Sequence, residues 1–151
     1  METLTSTAVQ PLNSEEINAL KKFYAAWKEK RPEWLDEVCT PDWKDIPLNP
    51  GQAAGPNGLK DIIAFFTGRY SDVEIIIHEI VGTHERAATR SEIRFTHNKS
   101  LFGILAVNRQ VTIALHEFHH LKAGKITHTW HLEDWFSLLM QSGAWNMAEK
   151  D

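Results

Sequence analysis

Cysteine and excess positive charge are scarce in this 151-residue chain. It has 16 lysines and arginines against 20 acids, a formal charge of −4, so it carries no basic footprint for nucleic acid. Its one cysteine, Cys39, excludes an internal disulfide and suits a reducing compartment. No apolar run approaches the roughly 20 residues that a membrane-spanning helix needs, and no signal-like segment is present. We therefore expect a cytoplasmic protein that binds neither nucleic acid nor membrane.

Repeats, low-complexity segments and internal linkers are missing as well. The content of hydrophobic residues is 42% and that of charged residues 24%, which is ordinary for a soluble globular protein. At this length one domain with a real core is expected. We place a flexible N-terminus at 1–13, the domain at 14–144 and a C-terminal tail at 145–151.

Histidine, by contrast, is abundant in one stretch, residues 110–136. It contains five of the eight histidines and reads QVTIALHEFHHLKAGKITHTWHLEDWF. A β-branched opening and a Gly-Lys turn predict two antiparallel strands joined by a hairpin. Strand alternation then places five polar side chains on one face of the hairpin: Glu117, His119, Thr129, His131 and Glu133.

The rest of the chain predicts an α+β fold around this hairpin. Apolar residues recur at helical spacing from Ile17 to Trp27 and from Leu59 to Phe66, where Gly68 would end the helix. A shorter helix follows Pro32, and a short edge strand precedes the loop at 47–57. The meander then starts at Val73, and a short helix starts at Trp135. We expect three N-terminal helices against a curved antiparallel sheet, enclosing a cone-shaped cavity with one open end.

A literal zinc signature, H-E-x-x-H, occurs from His116 to His120. In metalloproteases this motif works on a helix, where both histidines share one face. On a strand the two residues lie about 13 Å apart, at roughly 3.3 Å per residue, too far for both to bind one Zn²⁺. The same segment can also be written as a helical stripe. A zinc hydrolase therefore stays a minor alternative, and we expect no metal.

An imidazole buried beside a carboxylate forms a proton-transfer pair. His119 lies in the polar row, and Asp134 lies where the last strand gives way to a helix, so its carboxylate could bend into the cavity. These two are our catalytic candidates, with Glu117, His131 and Glu133 in reserve. Each also has an ordinary explanation, because strand histidines often face solvent and Asp134 could cap the next helix.

Other residues are candidates for the wall of the same pocket. His97 ends a predicted strand next to Phe95, and Trp43 and Thr129 lie on strands that would face the cavity. A terminal histidine and a core tryptophan also have purely structural explanations.

An ordered set of short motifs runs along the chain. They are Pro50-Gly51-Gln52, Gly55-Pro56-x-Gly58-Leu59-Lys60, Asp72-Val73, His78-Glu79-Ile80, Phe95-Thr96-His97, His116-Glu117-Phe118-His119, Gly124-Lys125-Ile126, Trp130-His131-x-Glu133-Asp134-Trp135 and Leu138-Leu139-Met140-Gln141. Through this ordered set the sequence resembles the SnoaL-like polyketide cyclases of the NTF2-like superfamily, over roughly residues 14–144.

The resemblance implies a cone-shaped α+β barrel without cofactor or metal, often a homodimer formed through the sheet. It implies ring closure by intramolecular aldol condensation, with the residue matching Asp134 as general acid/base and the residue matching His119 beside it. The segment 106–109, Ala-Val-Asn-Arg, departs from the Pro-Thr-Gly-Arg usual there, which puts a polyketide substrate in doubt.

Two functions follow from these expectations. One is a cofactor-independent cyclase, isomerase or lyase acting on a small, hydrophobic, carbonyl-containing substrate. The other is a non-catalytic module that binds a hydrophobic small molecule in the same cavity, because aromatic residues are concentrated near its expected mouth. The superfamily hosts several chemistries, so the fold alone does not name the reaction.

Overall fold

The computed structural model describes residues 8–145, which form helices packed on a five-stranded sheet. In chain order the elements are α1 (Ser14–Lys28), a 3-10 turn (Pro32–Trp34) leading into α2 (Leu35–Val38), β1 (Cys39–Ile46), α3 (Pro56–Arg69), β2 (Glu74–Thr83), β3 (Arg86–Thr96), β4 (Gln110–Lys122), β5 (Lys125–Glu133) and α4 (Phe136–Gln141). The predicted α+β class and the order of elements are confirmed.

The two expected chain ends reach beyond the described residues. Of the proposed flexible N-terminus, 1–7 lie outside them, and of the C-terminal tail, 146–151 do. Where the N-terminal segment is described, Pro11 forms an antiparallel bridge with Thr83. Next to it, the backbone N–H of His84 donates to the carbonyl of Gln10 at 2.8 Å.

The sheet is mixed rather than fully antiparallel. Its strand order is β1-β5-β4-β3-β2, in which β2 to β5 form the expected antiparallel meander. The edge strand β1 instead runs parallel to β5 and pairs Asp45 with Thr129. A pattern of apolar residues predicts that a strand exists, but it does not give the direction in which the strand enters a sheet.

Helix α1 begins at a capping box. The side chain of Asn13 accepts a hydrogen bond from the backbone N–H of Glu16, and the Glu16 carboxylate accepts one from the backbone N–H of Asn13, both at 2.9 Å. Two of the four free N–H groups of the first turn are thereby paired. The buried face of the helix includes Phe23, Tyr24 and Trp27, and it covers the inner side of the sheet.

Helix α3 begins where two backbone segments touch. A Cβ atom on Gly58 would lie only 1.8 Å from the carbonyl oxygen of Ala53, so only glycine allows the loop at 47–55 to fold back against the helix. The predicted stop at Gly68 is wrong by one residue, because the helix continues to Arg69. A Cβ atom added at Gly68 would meet no other atom within 4 Å, so no steric contact forces the helix to end there.

Burial alternates along the central strands, as a sheet covered on one face requires. On β4 the residues from Val111 to Leu121 at odd positions are buried, whereas most even positions are exposed. The odd positions face the helices. Within the described residues, no helix combines the length and the apolar composition needed to cross a membrane.

Candidate functional site

The predicted polar row is present on the inner face of the sheet. Glu117 on β4 pairs with His131 on β5, and His119 pairs with Thr129. From β3, Thr89 pairs with Glu117 on its other side. The strand register therefore gathers carboxyl, imidazole and hydroxyl groups under helix α1.

A cavity of about 630 Å³ lies between this row, helices α1 and α3 and the loop at 47–55. Glu117, His131 and Glu133 form part of its polar wall, together with Asp45 from β1. At the open end, Phe65 is 53% and Phe102 is 63% exposed. Aromatic side chains make up much of the remaining wall: Phe23, Tyr24, Trp27, Phe65, Phe66, Phe102 and Trp135.

Glu117 is the carboxyl group at the deep end of the cavity. Its side chain is 8% exposed, and this burial raises its pKa to about 8. The hydroxyl of Tyr24 donates a short hydrogen bond to Oε2 of Glu117, which partly offsets the effect of burial. Since Oε2 is occupied by this bond, Oε1 is the atom left to meet a ligand.

Behind Glu117, a chain of hydrogen bonds runs through the protein. Trp43 Nε1 donates to Thr129 Oγ1 at 3.0 Å, and Thr129 Oγ1 lies 3.0 Å from His119 Nδ1. Nε2 of His119 is 2.8 Å from the Tyr24 hydroxyl, which bonds to Glu117. We call these five residues the relay. All five are buried.

The direction of the relay follows from its two ends. An indole N–H can only donate, and an ionised carboxylate, the form in which Glu117 acts as a base, can only accept. The Thr129 hydroxyl therefore donates to Nδ1 of His119, and Nε2–H of His119 donates to Tyr24, whose proton goes to Glu117. Burial lowers the pKa of His119 to about 3, so its ring is neutral. The 3.6 Å approach of His119 to Glu117 is consequently not an ion pair.

His131 lies at the centre of a second group of polar contacts. Its Nδ1 is 3.0 Å from both carboxylate oxygens of Glu133, and its Nε2 is 2.7 Å from the carbonyl oxygen of Pro47. Both acceptors need a ring proton, so the ring carries two N–H groups and a positive charge. The hydrogen bond to Glu133, with the charges of Glu133 and Asp45, raises the pKa of His131 to about 9.

Asp45 completes this second group. Its Oδ1 lies 3.4 Å from Nε2 of His131, and Gln52 donates to its Oδ2 at 2.6 Å. The Gln52 carbonyl accepts from the backbone N–H of Asn49 at 3.0 Å. Burial raises the pKa of Asp45, although the bond from Gln52 opposes the effect. The loop at 47–55 is thus fixed to the polar wall by side-chain contacts.

Asp134 does not reach the cavity, and the expectation that it would meet His119 there is wrong. Strand alternation turns Glu133 inward and Asp134 outward, where Asp134 is exposed and lines a shallow groove on the opposite face with His78 and His116. Its Oδ1 accepts from the backbone N–H of Ser137 at 3.2 Å, so it caps the turn into α4.

The other candidates lie behind or away from the cavity wall. Trp43 and Thr129 belong to the relay, one layer behind the lining residues. Phe95, near the end of β3, and His97, just beyond it, are fully buried, and Phe95 packs on Tyr70 at 4.6 Å between ring centroids. Neither of them is among the cavity-lining residues. Of the predicted pocket residues, only Glu117, His131 and Glu133 line it.

The H-E-x-x-H motif lies on strand β4. His116 and His120 occupy outward positions, whereas Glu117 points inward. Because the three side chains do not share a face, the arrangement that the motif needs for zinc is not formed. Across residues 8–145, no three histidine, cysteine or acidic side chains are grouped so as to hold a metal ion.

Tyr24, Asp45 and Gln52 are site residues that the sequence did not reveal. Tyr24 belongs to the apolar stripe of α1, and nothing in that pattern indicates that its hydroxyl bonds to Glu117. Asp45 is two residues from Trp43 on the same strand and shares its inward face, which is the one signal that could have identified it.

Comparison with known proteins supports the resemblance. The family model of SnoaL-like polyketide cyclases matches residues 17–142. Among curated proteins, none matches the sequence. The structure is similar to TsrD from Streptomyces laurentii, with 22% identity, a TM-score of 0.78, and coverage of 89% of this chain and 99% of TsrD.

Two further structures share the fold. IdmH from Streptomyces antibioticus has 23% identity, a TM-score of 0.75, and coverage of 85% of this chain and 98% of its own. A SnoaL-like polyketide cyclase from Agrobacterium tumefaciens has 16% identity, a TM-score of 0.69, and coverage of 83% and 96%. At these identities the likeness concerns the fold.

Proposed function

The chain belongs to the SnoaL-like polyketide cyclase family, and we propose that it catalyses cofactor-independent proton transfer on a hydrophobic carbonyl compound. The observation that carries this proposal is Glu117, a carboxyl group at the deep end of an aromatic-lined cavity with a pKa raised to about 8. A group whose pKa is near the working pH is suited to both accepting and returning a proton.

Ring closure or isomerisation would use Glu117 in both directions. Its ionised Oε1 removes a proton from the carbon alpha to a carbonyl, which leaves an enolate. In a cyclisation the enolate carbon attacks a second carbonyl of the same molecule, a C–C bond forms, and the new alkoxide takes the proton back from Glu117. In an isomerisation the proton returns to another carbon. Every atom and electron is then accounted for without a co-reactant.

The charged ring of His131 is placed to stabilise the negative oxygen that forms in this step. It lines the same cavity and pairs across the strands with Glu117. The His131 side chain is only 9% exposed, and a fixed positive charge held away from bulk water stabilises an enolate more strongly than water does. His119 and Tyr24 would act as positioning residues, because they hold Oε2 of Glu117 and leave Oε1 free to react.

Deuterium exchange at the alpha carbon of 2-tetralone tests the proposal without knowledge of the natural substrate. 2-Tetralone is a neutral bicyclic ketone, and NMR in D₂O follows its exchange. We expect the protein to accelerate exchange, Glu117→Gln to remove the acceleration, and Asp134→Asn to keep it. Loss of acceleration in Asp134→Asn with retention in Glu117→Gln would show that the carboxyl group is wrongly assigned.

The same experiment distinguishes the non-catalytic alternative. A binding module would shift the resonances of 2-tetralone or raise the melting temperature of the protein, yet leave the exchange rate at its background value in all three proteins. In that case the cavity would still be a ligand site, but Glu117 would have no catalytic role.

We further propose a homodimer formed through the outer face of the sheet, in the cytoplasm. Phe118 is 64% and Leu132 is 74% exposed on this face, next to the stacked rings of His128 and Trp130. Exposed apolar side chains clustered in this way favour an interface. The lone buried thiol of Cys39 suits a reducing compartment. Light scattering on Phe118→Asp and Leu132→Asp variants tests the dimer, which either change should weaken.

A further inference from the structure

The cavity wall is richer in acids than proton transfer requires. Four carboxyl groups line it, those of Asp45, Asp61, Glu117 and Glu133, and within the described part of the chain neither lysine nor arginine does. The positive charge of His131 is already matched, since its ring donates to Glu133 and to the Pro47 carbonyl. The wall as a whole is therefore negative.

Aromatic rings line the same cavity as these acids. Phe66 stacks on Trp135 with ring centroids 5.9 Å apart, and Phe102 meets the same indole edge-on at 5.1 Å. Trp27 also packs against Phe66, with ring centroids 5.8 Å apart. Aromatic faces attract a cation through their quadrupole, whereas they offer an anion no favourable interaction. Aromatic rings next to carboxyl groups form an environment that suits an organic ammonium ion.

A permanently anionic group on the ligand would find no free charged donor in the wall of this cavity, because both N–H groups of His131 are bonded to protein acceptors and its charge acts on a transient oxyanion only at a distance. A carboxylate or phosphate taken out of water must be paired or it costs a large desolvation energy, and the one cationic side chain is bonded to protein acceptors. An ammonium group, in contrast, can donate to Oε1 of Glu117, which the bond from Tyr24 to Oε2 leaves available. A carboxylate oxygen has two lone pairs, so the second one on Oε1 stays free for the alpha proton. The charge of the wall thus discriminates among ligands of similar shape.

We propose, on the basis of the proposed function, that the substrate carries a basic nitrogen on its hydrophobic, carbonyl-containing body. The ammonium group lies near Glu117 and the aromatic rings, and analogues bearing a carboxylate or phosphate are rejected. The proposal concerns the charge of the ligand, whereas the 2-tetralone experiment concerns proton transfer. The two can therefore fail separately.

Three probes that share one naphthalene body test the charge preference. They are 2-(1-naphthyl)ethylamine, 2-(1-naphthyl)ethanol and 1-naphthylacetate, titrated into the full chain by calorimetry at pH 7. We expect the amine to bind about tenfold more tightly than the alcohol and the acetate to show no measurable binding. The proposal is overturned if the alcohol binds as tightly as the amine or more tightly, or if the acetate binds more tightly than the alcohol. Either outcome would leave the 2-tetralone result unaffected.

Glu117→Gln then identifies the carboxyl group involved. The amide oxygen can still accept from Tyr24, so the fold should be retained, which a melting curve checks. We expect the variant to bind the amine about tenfold more weakly and the alcohol as before, whereas Glu29→Gln, on an exposed turn, should change neither. An unchanged amine affinity in Glu117→Gln overturns the assignment of the ammonium group to this carboxyl.

Proton release gives an independent measurement. Free Glu117 is largely protonated at pH 7 because burial raises its pKa to about 8, and a bound ammonium group would favour its ionised form. Titrations in buffers of different ionisation enthalpy should therefore reveal a proton released when the amine binds. The alcohol should release none. Proton release that persists unchanged in Glu117→Gln contradicts the inference.

Discussion

At the scale of single residues, the hydroxyl of Tyr24 controls the site. It joins the carboxyl of Glu117 to the imidazole of His119, and Thr89 Oγ1 lies 2.6 Å from it. Its own pKa is raised well above the usual value by burial and by the charge of Glu117. Tyr24 therefore remains a hydrogen-bond donor throughout the pH range in which Glu117 titrates.

Removing this hydroxyl should shift the pH dependence of catalysis. The bond from Tyr24 favours the ionised form of Glu117, so Tyr24→Phe should raise the pKa of Glu117 and move the midpoint of the rate profile upward by about one pH unit. Tetralone exchange between pH 6 and 10 measures this shift. In the wild type the rate should increase with pH through about 8, because the base must be ionised.

Tyr70→Phe is the matched control for this experiment. Tyr70 is also fully buried, but its hydroxyl donates to the carbonyl of Lys99 at 3.0 Å, away from the cavity. It should lower stability without moving the midpoint. If both variants shift the midpoint equally, the effect would be a general response to destabilisation and the role given to Tyr24 would be wrong.

The relay also fixes the tautomer of His119. We expect a neutral ring protonated on Nε2, since Thr129 donates to Nδ1 and burial lowers the pKa of His119 to about 3. Long-range ¹H–¹⁵N NMR spectra should show this tautomer at pH 9, where Glu117 is ionised, and a ring that stays neutral from pH 5 upward. A ring protonated on Nδ1, or one that titrates near pH 6.5, would contradict the direction of the relay.

Individual site residues were predictable only where strand alternation applied. Glu117, His131 and Glu133 share a parity along the hairpin, which was enough to place them inward. The same rule pointed Asp134 outward. The expectation that its carboxylate bends back into the cavity ignored this alternation of side chains. Tyr24 comes from a helix 93 residues away from Glu117 in the sequence, a distance over which no local pattern carries information.

At the scale of elements, two glycines of α3 make a matched pair. A Cβ on Gly58 would lie 1.8 Å from the Ala53 carbonyl oxygen, whereas one on Gly68 would meet nothing within 4 Å. Gly58→Ala should therefore lower the free energy of unfolding by about 1–3 kcal/mol or more. Gly68→Ala should raise it by roughly 0.5–1 kcal/mol through better helix propensity.

Urea denaturation of the two variants measures the difference. Because Ala53 and Gly58 both line the cavity, Gly58→Ala should also weaken binding of the naphthalene probes, and Gly68→Ala should not. Equal stability of the two variants would mean that the loop at 47–55 can move aside at no cost, and its role as a fixed wall would be wrong.

The order of helices and strands was predictable because each has a clear period of apolar residues. The parallel pairing of β1 with β5 was not. It depends on the path from α2 into the sheet and on the side from which β1 approaches, and both are set by packing among elements distant in sequence. The pairing matters for the site, because it brings Asp45 beside Thr129 and within reach of His131.

At the scale of the whole molecule, the buried ionisable groups determine how stability depends on pH. The pKa of Glu117 is raised from 4.5 to about 8, and that of His131 from 6.5 to about 9. Each group holds its proton more tightly when the protein is folded, so its contribution to stability is lost as the pH rises through the folded-state value. The lowered pKa of His119 acts in the opposite direction, below pH 6.5.

We therefore expect the free energy of unfolding to decrease between pH 6.5 and pH 9. Urea denaturation across this range should show the decrease in the wild type and a shallower one in Glu117→Gln, because one of the two titrating groups is gone. Glu29→Gln should follow the wild type. A wild-type stability that is constant or increases over this range would contradict the burial assigned to Glu117 and His131.

The donor-only indole at the start of the relay prevents protons from leaving Glu117 along this chain. Trp43 has no lone pair with which to accept, so the links between it and the ionised carboxyl cannot reverse their direction. Solvent hydrogen reaches Glu117 through the mouth of the cavity rather than along this chain. Deuterium from D₂O must enter by that route before it can appear in 2-tetralone, so a ligand that closes the mouth more tightly should lose less of its own hydrogen to solvent.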